Sequence, residues 1–150
     1  MKIEEEIRQN SFPNEYLKAN INLLFTHAWL FPKYVRDLKA FNLSSQQFNV
    51  LRILRGRHPQ PASIRELTER MLDKSSNASR LVDKLLAKGW VSKTACKSDS
   101  RKVQVHITEE GLEVLANASA KLEKKIQHVF SALTEEEAAQ LSALLDKLRS

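Results

Sequence analysis

The hydrophobic period changes twice along this chain, and those changes restrict its fold more than any other feature. Up to Gly89 the apolar residues recur every three or four positions, as on one face of a helix. Trp90 and Val91 then open a strand-like segment, and Val103, Val105 and Ile107 alternate strictly with Gln104 and His106. From Leu112 the helical period returns. A short β-hairpin is thus inserted into a helical chain. Its loop, Lys97-Ser98-Asp99-Ser100-Arg101-Lys102, holds three cations and one acid.

Start and stop signals place the helices. Leu17, Ile21, Leu24, Phe25, Ala28, Trp29, Val35, Leu38 and Phe41 form one stripe over residues 14–41. Pro32 lies within it and predicts a kink or break near Phe31, because proline removes a backbone donor and crowds the preceding turn. Ser44 and Gln47 have capping-box spacing ahead of Phe48, Leu51 and Leu54, and Gly56, Pro59 and Pro61 end that helix in a connector. Ser63 and Glu66 repeat the box before Ile64, Leu67 and Met71. After the joint Leu72-Asp73-Lys74, Ser75 or Ser76 is expected to cap a third helix with Leu81, Val82, Leu85 and Leu86 inward. Gly89 stands where a left-handed C-terminal residue belongs.

Thr108 is a further N-cap. Leu112, Leu115, Ser119, Leu122, Ile126, Val129 and Leu133 then step as a heptad seam. Thr134 and Glu137 make a third box before Leu141, Leu144, Leu145 and Leu148. Two short helices, a polar turn and a hairpin with a basic tip describe a winged helix-turn-helix. The expected architecture is mainly α with a small β-hairpin wing: a lobe at 44–107 between helical regions at 1–43 and 108–150. The outer helices are amphipathic and need cover, either from each other or from a second protomer.

Charge follows the same division. Residues 44–107 carry 13 Lys/Arg against 5 Asp/Glu, whereas the rest carries 11 against 13, so the chain's net +6 resides in the middle lobe. Segregated basic charge is the footprint of a phosphate-binding surface, with a merely solvating basic surface as the alternative on charge alone. The one cysteine, Cys96, excludes an internal disulfide and a cysteine-based zinc cluster. His27, His58, His106 and His128 lack metal-ligand spacing, and with 3 glycines there is no glycine-rich phosphate loop. Neither enzyme chemistry nor a cofactor or metal is expected. The acidic start lacks a signal-peptide core and no run reaches the roughly 20 apolar residues of a membrane helix. A cytoplasmic protein without a membrane partner is expected.

Three segments resemble the MarR family of transcriptional regulators. They are Leu43-Ser44-Ser45-Gln46-Gln47-Phe48-Asn49-Val50-Leu51, then Ser75 to Leu85 with Lys88-Gly89, then Asp99-Ser100-Arg101-Lys102-Val103-Gln104-Val105-His106-Ile107-Thr108. The resemblance spans about residues 14–150. The wing departs from the family in having Ser98 or Ser100 and Lys102 where a second acid and arginine are common. The resemblance implies a homodimer joined by the N- and C-terminal helices, acting on a palindromic double-stranded DNA site, as a repressor. It also implies a pocket for a small aromatic or phenolic effector, for which Phe25, His27 and Trp29 are candidates, with core packing the alternative.

A recognition helix must show short polar and basic groups to base edges. Ser75, Ser76, Asn77, Ser79 and Arg80 fall in its first turn and a half, with Lys84 one turn on. Asn77 suits adenine and Arg80 suits guanine, while the serines suit bases or phosphates. The alternatives are capping for Asn77 and the serines, and a salt bridge to Asp83 or Asp73 for Arg80. In the wing, Arg101 and Lys102 suit a minor groove or phosphate, and Asp99 suits holding the hairpin tip. Cys96, beside Lys93 and Lys97, suggests a thiol of lowered pKa and a redox role, against the commoner structural cysteine. The family's peroxide sensors carry theirs near the first helix instead. An RNA-binding or protein-docking winged helix is the competing function. RNA readers expose stacking aromatics, and 75–88 has none.

Overall fold

A computed structural model describes residues 1–150 and divides them into two compact units, 1–45 and 46–150. The first unit contains α1 (Ile3–Glu6) and the long α2 (Glu15–Lys39). Asn14 caps α2 by accepting the Leu17 N–H at 2.9 Å, and Asn42, at φ 56°, turns the chain after it. Of the expected kink or break at Pro32, the break does not occur: the helix runs from Glu15 to Lys39 with Pro32 inside it. The missing N–H deprives only the Ala28 carbonyl, and both residues lie on the exposed side.

The second unit follows the order α3 (Ser45–Arg57), β1 (Ala62–Ser63), α4 (Ile64–Arg70), α5 (Ala78–Ala87), β2 (Val91–Ala95), β3 (Val103–Ile107), α6 (Glu109–Phe130) and α7 (Glu135–Leu148). The chain is therefore mainly helical with a small antiparallel sheet, as expected. No helix is long and apolar enough to cross a membrane. The core comprises Val50, Leu51, Leu54, Leu67, Met71, Val82, Leu85, Val91, Val105 and Leu115, all but shut off from solvent. Within the third predicted helix, Val82 and Leu85 point inward as expected. Ala78 joins them, while Leu86 is exposed.

The sheet has order β1-β3-β2. Val91 faces Ile107 and Ala95 faces Val103 across the hairpin, so the inward Val91, Val105 and Ile107 share one face. The other neighbour of β3 is β1, pairing Ala62 with Val105 and Ser63 with Gln104. This strand lies in what the sequence suggested was only a connector. Two residues are too few to show a period, and their pairing reaches across some forty residues of chain. Arg57 fixes the approach to β1, donating to the Pro61 carbonyl at 2.8 Å and pairing with Glu66 at 2.9 Å.

Two joints connect the hairpin to the helices. At the end of α5, Gly89 adopts φ 76° and its N–H donates to Leu86 O at 3.0 Å, while Trp90 N–H donates to Leu85 O at 3.1 Å. This is the paired closure of a left-handed helix end. At the start of α6, the Thr108 hydroxyl accepts the Gly111 N–H at 3.1 Å and donates to Gly89 O at 2.8 Å. One hydroxyl thus caps α6 and ties it to the end of α5. The heptad seam divides: Leu115, Ser119 and Leu122 are buried, but Ile126 and Leu133 are exposed. Helix α7 buries none of its residues.

Candidate nucleic-acid interface

Helix α5 carries the sequence-predicted readers and is the most strongly amphipathic element of the lobe. Val82 and Leu85 anchor one side, and Ser79, Arg80, Asp83 and Lys84 are exposed on the other. Its N-cap is Asn77, whose side-chain oxygen accepts the Arg80 N–H at 3.0 Å. The expected cap at Ser75 or Ser76 is thereby corrected. Ser75 is committed elsewhere: its N–H and hydroxyl both donate to Asp73, at 2.9 and 2.6 Å. Ser76 keeps a buried hydroxyl without a hydrogen-bond partner. Capping engages one lone pair of the Asn77 oxygen, so a bidentate contact to adenine would share that oxygen with the Arg80 N–H.

The alternative reading for Arg80, a salt bridge within the protein, does not hold. Asp83 pairs with Lys93 of β2, and Asp73 accepts from Ser75 and from Gln46, the latter at 3.3 Å. The same holds throughout the lobe. Glu66 pairs with Arg57, Glu69 with Arg65 at 2.8 Å, and Asp99 accepts the Arg101 N–H at 3.0 Å. All five acids between 44 and 107 are thus engaged internally. The side chains of Arg80, Lys84, Lys97, Arg101 and Lys102 are exposed and pair with none of them. Positive charge is left over on the recognition helix and on the wing.

Asp99 organises the wing tip. Its carboxylate accepts the Arg101 N–H, and its carbonyl accepts the Lys102 N–H at 3.0 Å. Cys96 N–H closes the loop on Lys102 O at 2.8 Å. The Arg101 and Lys102 side chains are left outside a backbone held at three points. The Cys96 thiol is lowered to about 7, but not by the lysines that the sequence suggested. Lys93 is held by Asp83, and the cause is hydrogen bonding from Ser98, whose hydroxyl lies 3.1 Å from the sulfur.

Sequence reasoning missed the residues that hold the turn between α4 and α5. Asn49 of α3 accepts the Leu72 N–H at 2.8 Å, and Gln46 of α3 reaches Asp73. Gln47, buried in α3, accepts from Lys88 at 3.0 Å. These polar pairs join residues 23, 27 and 41 positions apart, and only the cap-like run at 44–49 hinted at them. Of the effector candidates, Phe25 is half-buried, whereas His27 and Trp29 are exposed on α2. His27 stacks on Phe31 at 5.2 Å, and the Lys33 ammonium lies 3.2 Å over the Trp29 ring. No group of three or more His, Cys, Asp or Glu could hold a metal.

Known proteins match both the lobe and nearly the whole chain. The MarR family model matches residues 43–103. An uncharacterised helix-turn-helix transcriptional regulator of Bacillus subtilis, YkoM, is 30% identical over 141 residues, covering 91% of this chain and 90% of its own. The transcriptional regulator BldR of Sulfolobus solfataricus has a crystal structure matching at TM-score 0.74 and 28% identity, covering 90% of this chain and 95% of that one. A MarR-like transcription regulator from Bacillus cereus shares the fold at TM-score 0.78 and 21% identity, over 90% of this chain and 96% of that one. From the lobe to the flanking helices, the chain belongs to the MarR family of helix-turn-helix transcriptional regulators.

Proposed function

We propose that this regulator binds double-stranded DNA as a homodimer, setting α5 in the major groove and the wing hairpin beside it, on a palindromic operator. One observation carries the reading: every acid of the lobe is engaged internally, while Arg80, Lys84, Arg101 and Lys102 project without acidic partners. Such a surface loses its counterions only to another polyanion, and duplex DNA supplies one at the spacing of a helix and a wing. Arg80 offers a planar fork for guanine, and Arg101 and Lys102 offer charge to phosphate or the minor groove. Ser79 and Lys84 complete the contact surface as phosphate partners, whereas the Ser76 hydroxyl is buried away from it.

The dimer is supported by apolar faces without cover. Leu144 and Leu148 of α7 are 65% and 68% exposed, and Leu24, Trp29 and Val35 of α2 and Ile126 of α6 are also exposed. Monomeric proteins rarely expose apolar surface so regularly along helices. A dimer seated on a promoter excludes other proteins from it, so repression is the expected outcome.

Selection of bound fragments from random duplex DNA tests the function. A dyad-symmetric consensus supports both the partner and the dimer. Recovery of no preferred sequence, with equal affinity for single-stranded RNA, would overturn the assignment in favour of an RNA-binding lobe.

A further inference from the structure

The segment Met71–Asn77 delivers the recognition helix, yet little of it is packed. Met71 is buried, but Leu72 is 81% exposed and Asp73, Lys74 and Ser75 are exposed as well. Its conformation is therefore set by polar contacts. Asp73 receives four of them: the Ser75 N–H at 2.9 Å and the Ser75 hydroxyl at 2.6 Å on one carboxylate oxygen, Gln46 at 3.3 Å on the other, and Ser76 N–H on its carbonyl at 3.2 Å. Asn49 adds the Leu72 N–H at 2.8 Å, and Lys74 reaches back to the Glu69 carbonyl at 2.6 Å. Hydrogen bonds to a carboxylate are the short, strong kind. They hold Asp73 below the usual carboxylate range, with the Ser75 hydroxyl the main cause.

An exposed acid at the entrance to a DNA-reading helix is electrostatically unfavourable, since it faces the same polyanion as Arg80. We propose that Asp73, with Asn49 and Gln46, is a positioning device for sequence discrimination: it locks the helix-turn-helix joint to α3 and fixes the direction in which α5 enters the groove. The inference rests on the DNA-binding reading given above. It also reassigns Ser75. The one proton of its hydroxyl is committed to Asp73, so Ser75 does not donate to a phosphate or base, and it serves the joint.

Charge and geometry predict opposite effects, which makes the device testable. Asp73→Ala and Asp73→Asn remove the same negative charge, but the asparagine retains an oxygen acceptor for Ser75. Both variants gain affinity for random duplex DNA, because a repulsive charge is gone. The expected difference lies in the ratio of affinity for the selected duplex to affinity for random duplex. That ratio falls at least tenfold in Asp73→Ala and stays within about threefold of the parent in Asp73→Asn. Asn49→Ala and Ser75→Ala, which leave net charge unchanged, lower the ratio in the same direction, so the test survives if Asp73→Ala does not fold. An unchanged ratio in the folded alanine variants, or an equal fall in Asp73→Asn, overturns the positioning role while DNA binding stands. A parent that shows no preference between the duplexes overturns both.

Discussion

Gly111 has no space for even one more carbon. A Cβ there would lie 2.1 Å from the Trp90 carbonyl oxygen and 2.9 Å from Ile107 Cγ1, and the first of these is backbone that cannot swing aside. Gly111→Ala should cost about 3 kcal/mol, the upper range for overpacking. Urea unfolding with an unchanged slope and a lowered midpoint checks it. At the DNA surface the expected losses differ in kind. Arg101→Ala weakens binding to every duplex and removes about one counterion from the salt slope, leaving the preferred sequence nearly intact. Arg80→Ala relaxes preference at one base pair, by about 1–3 kcal/mol if it reads guanine. Binding titrations over a salt series separate the two, and a uniform loss from Arg80→Ala would show that it touches only phosphate. For Cys96, whose thiol is lowered to about 7 by Ser98, alkylation should reach half its maximal rate near that pH. In Ser98→Ala the midpoint moves up toward the ordinary thiol range, because the thiolate loses its donor. A midpoint unmoved by that change would shift the cause to the backbone N–H groups of Ser98 and Asp99, which the variant keeps.

Among the elements, those with local chemistry were legible in advance. The boxes at Ser63–Glu66 and Thr134–Glu137 and the left-handed Gly89 formed as read, because each depends on residues three or four apart. The cap of α5 was ambiguous for a physical reason: Ser75, Ser76 and Asn77 are all capping residues, and the choice was made by Asp73, which takes Ser75 for the turn. The strand β1 was illegible because only β3, far along the chain, makes it a strand. The basic side chains of the proposed interface could be read from composition and order. Which of them are available could not, since that depends on Lys93 meeting Asp83 and on Gln46 meeting Asp73. Helix α7 yields the prediction at this scale. Deleting 134–150 removes Leu141, Leu144, Leu145 and Leu148, none of which is buried in the isolated chain. The truncated protein should therefore keep the folded lobe by circular dichroism and lose mass by light scattering. Its affinity for the selected duplex should drop far more than its affinity for random DNA. A truncated chain that stays dimeric would place the interface in α2 and the exposed end of α6.

The molecule as a whole separates its tasks by charge and by exposure. The lobe between 44 and 107 holds the cationic excess, while the flanking segments are close to neutral and carry the uncovered leucines. Within unit 46–150, the joint at Thr108 has a mechanical meaning. The end of the recognition helix and the start of α6 share one hydroxyl, and Gly111 abuts Trp90 without the slack of a methyl group. A junction that tight transmits rotation and does not absorb it. Two reading heads mounted in this way would behave like the jaws of a fixed-gap caliper. An extra base pair between the half-sites would carry one of them about 3.4 Å along and about 35° around the duplex, since B-DNA turns once in 10–10.5 pairs. The joint at Thr108 gives neither head slack with which to follow, so spacer length should be selected along with the bases. Operators lengthened by a single pair should bind little better than random DNA.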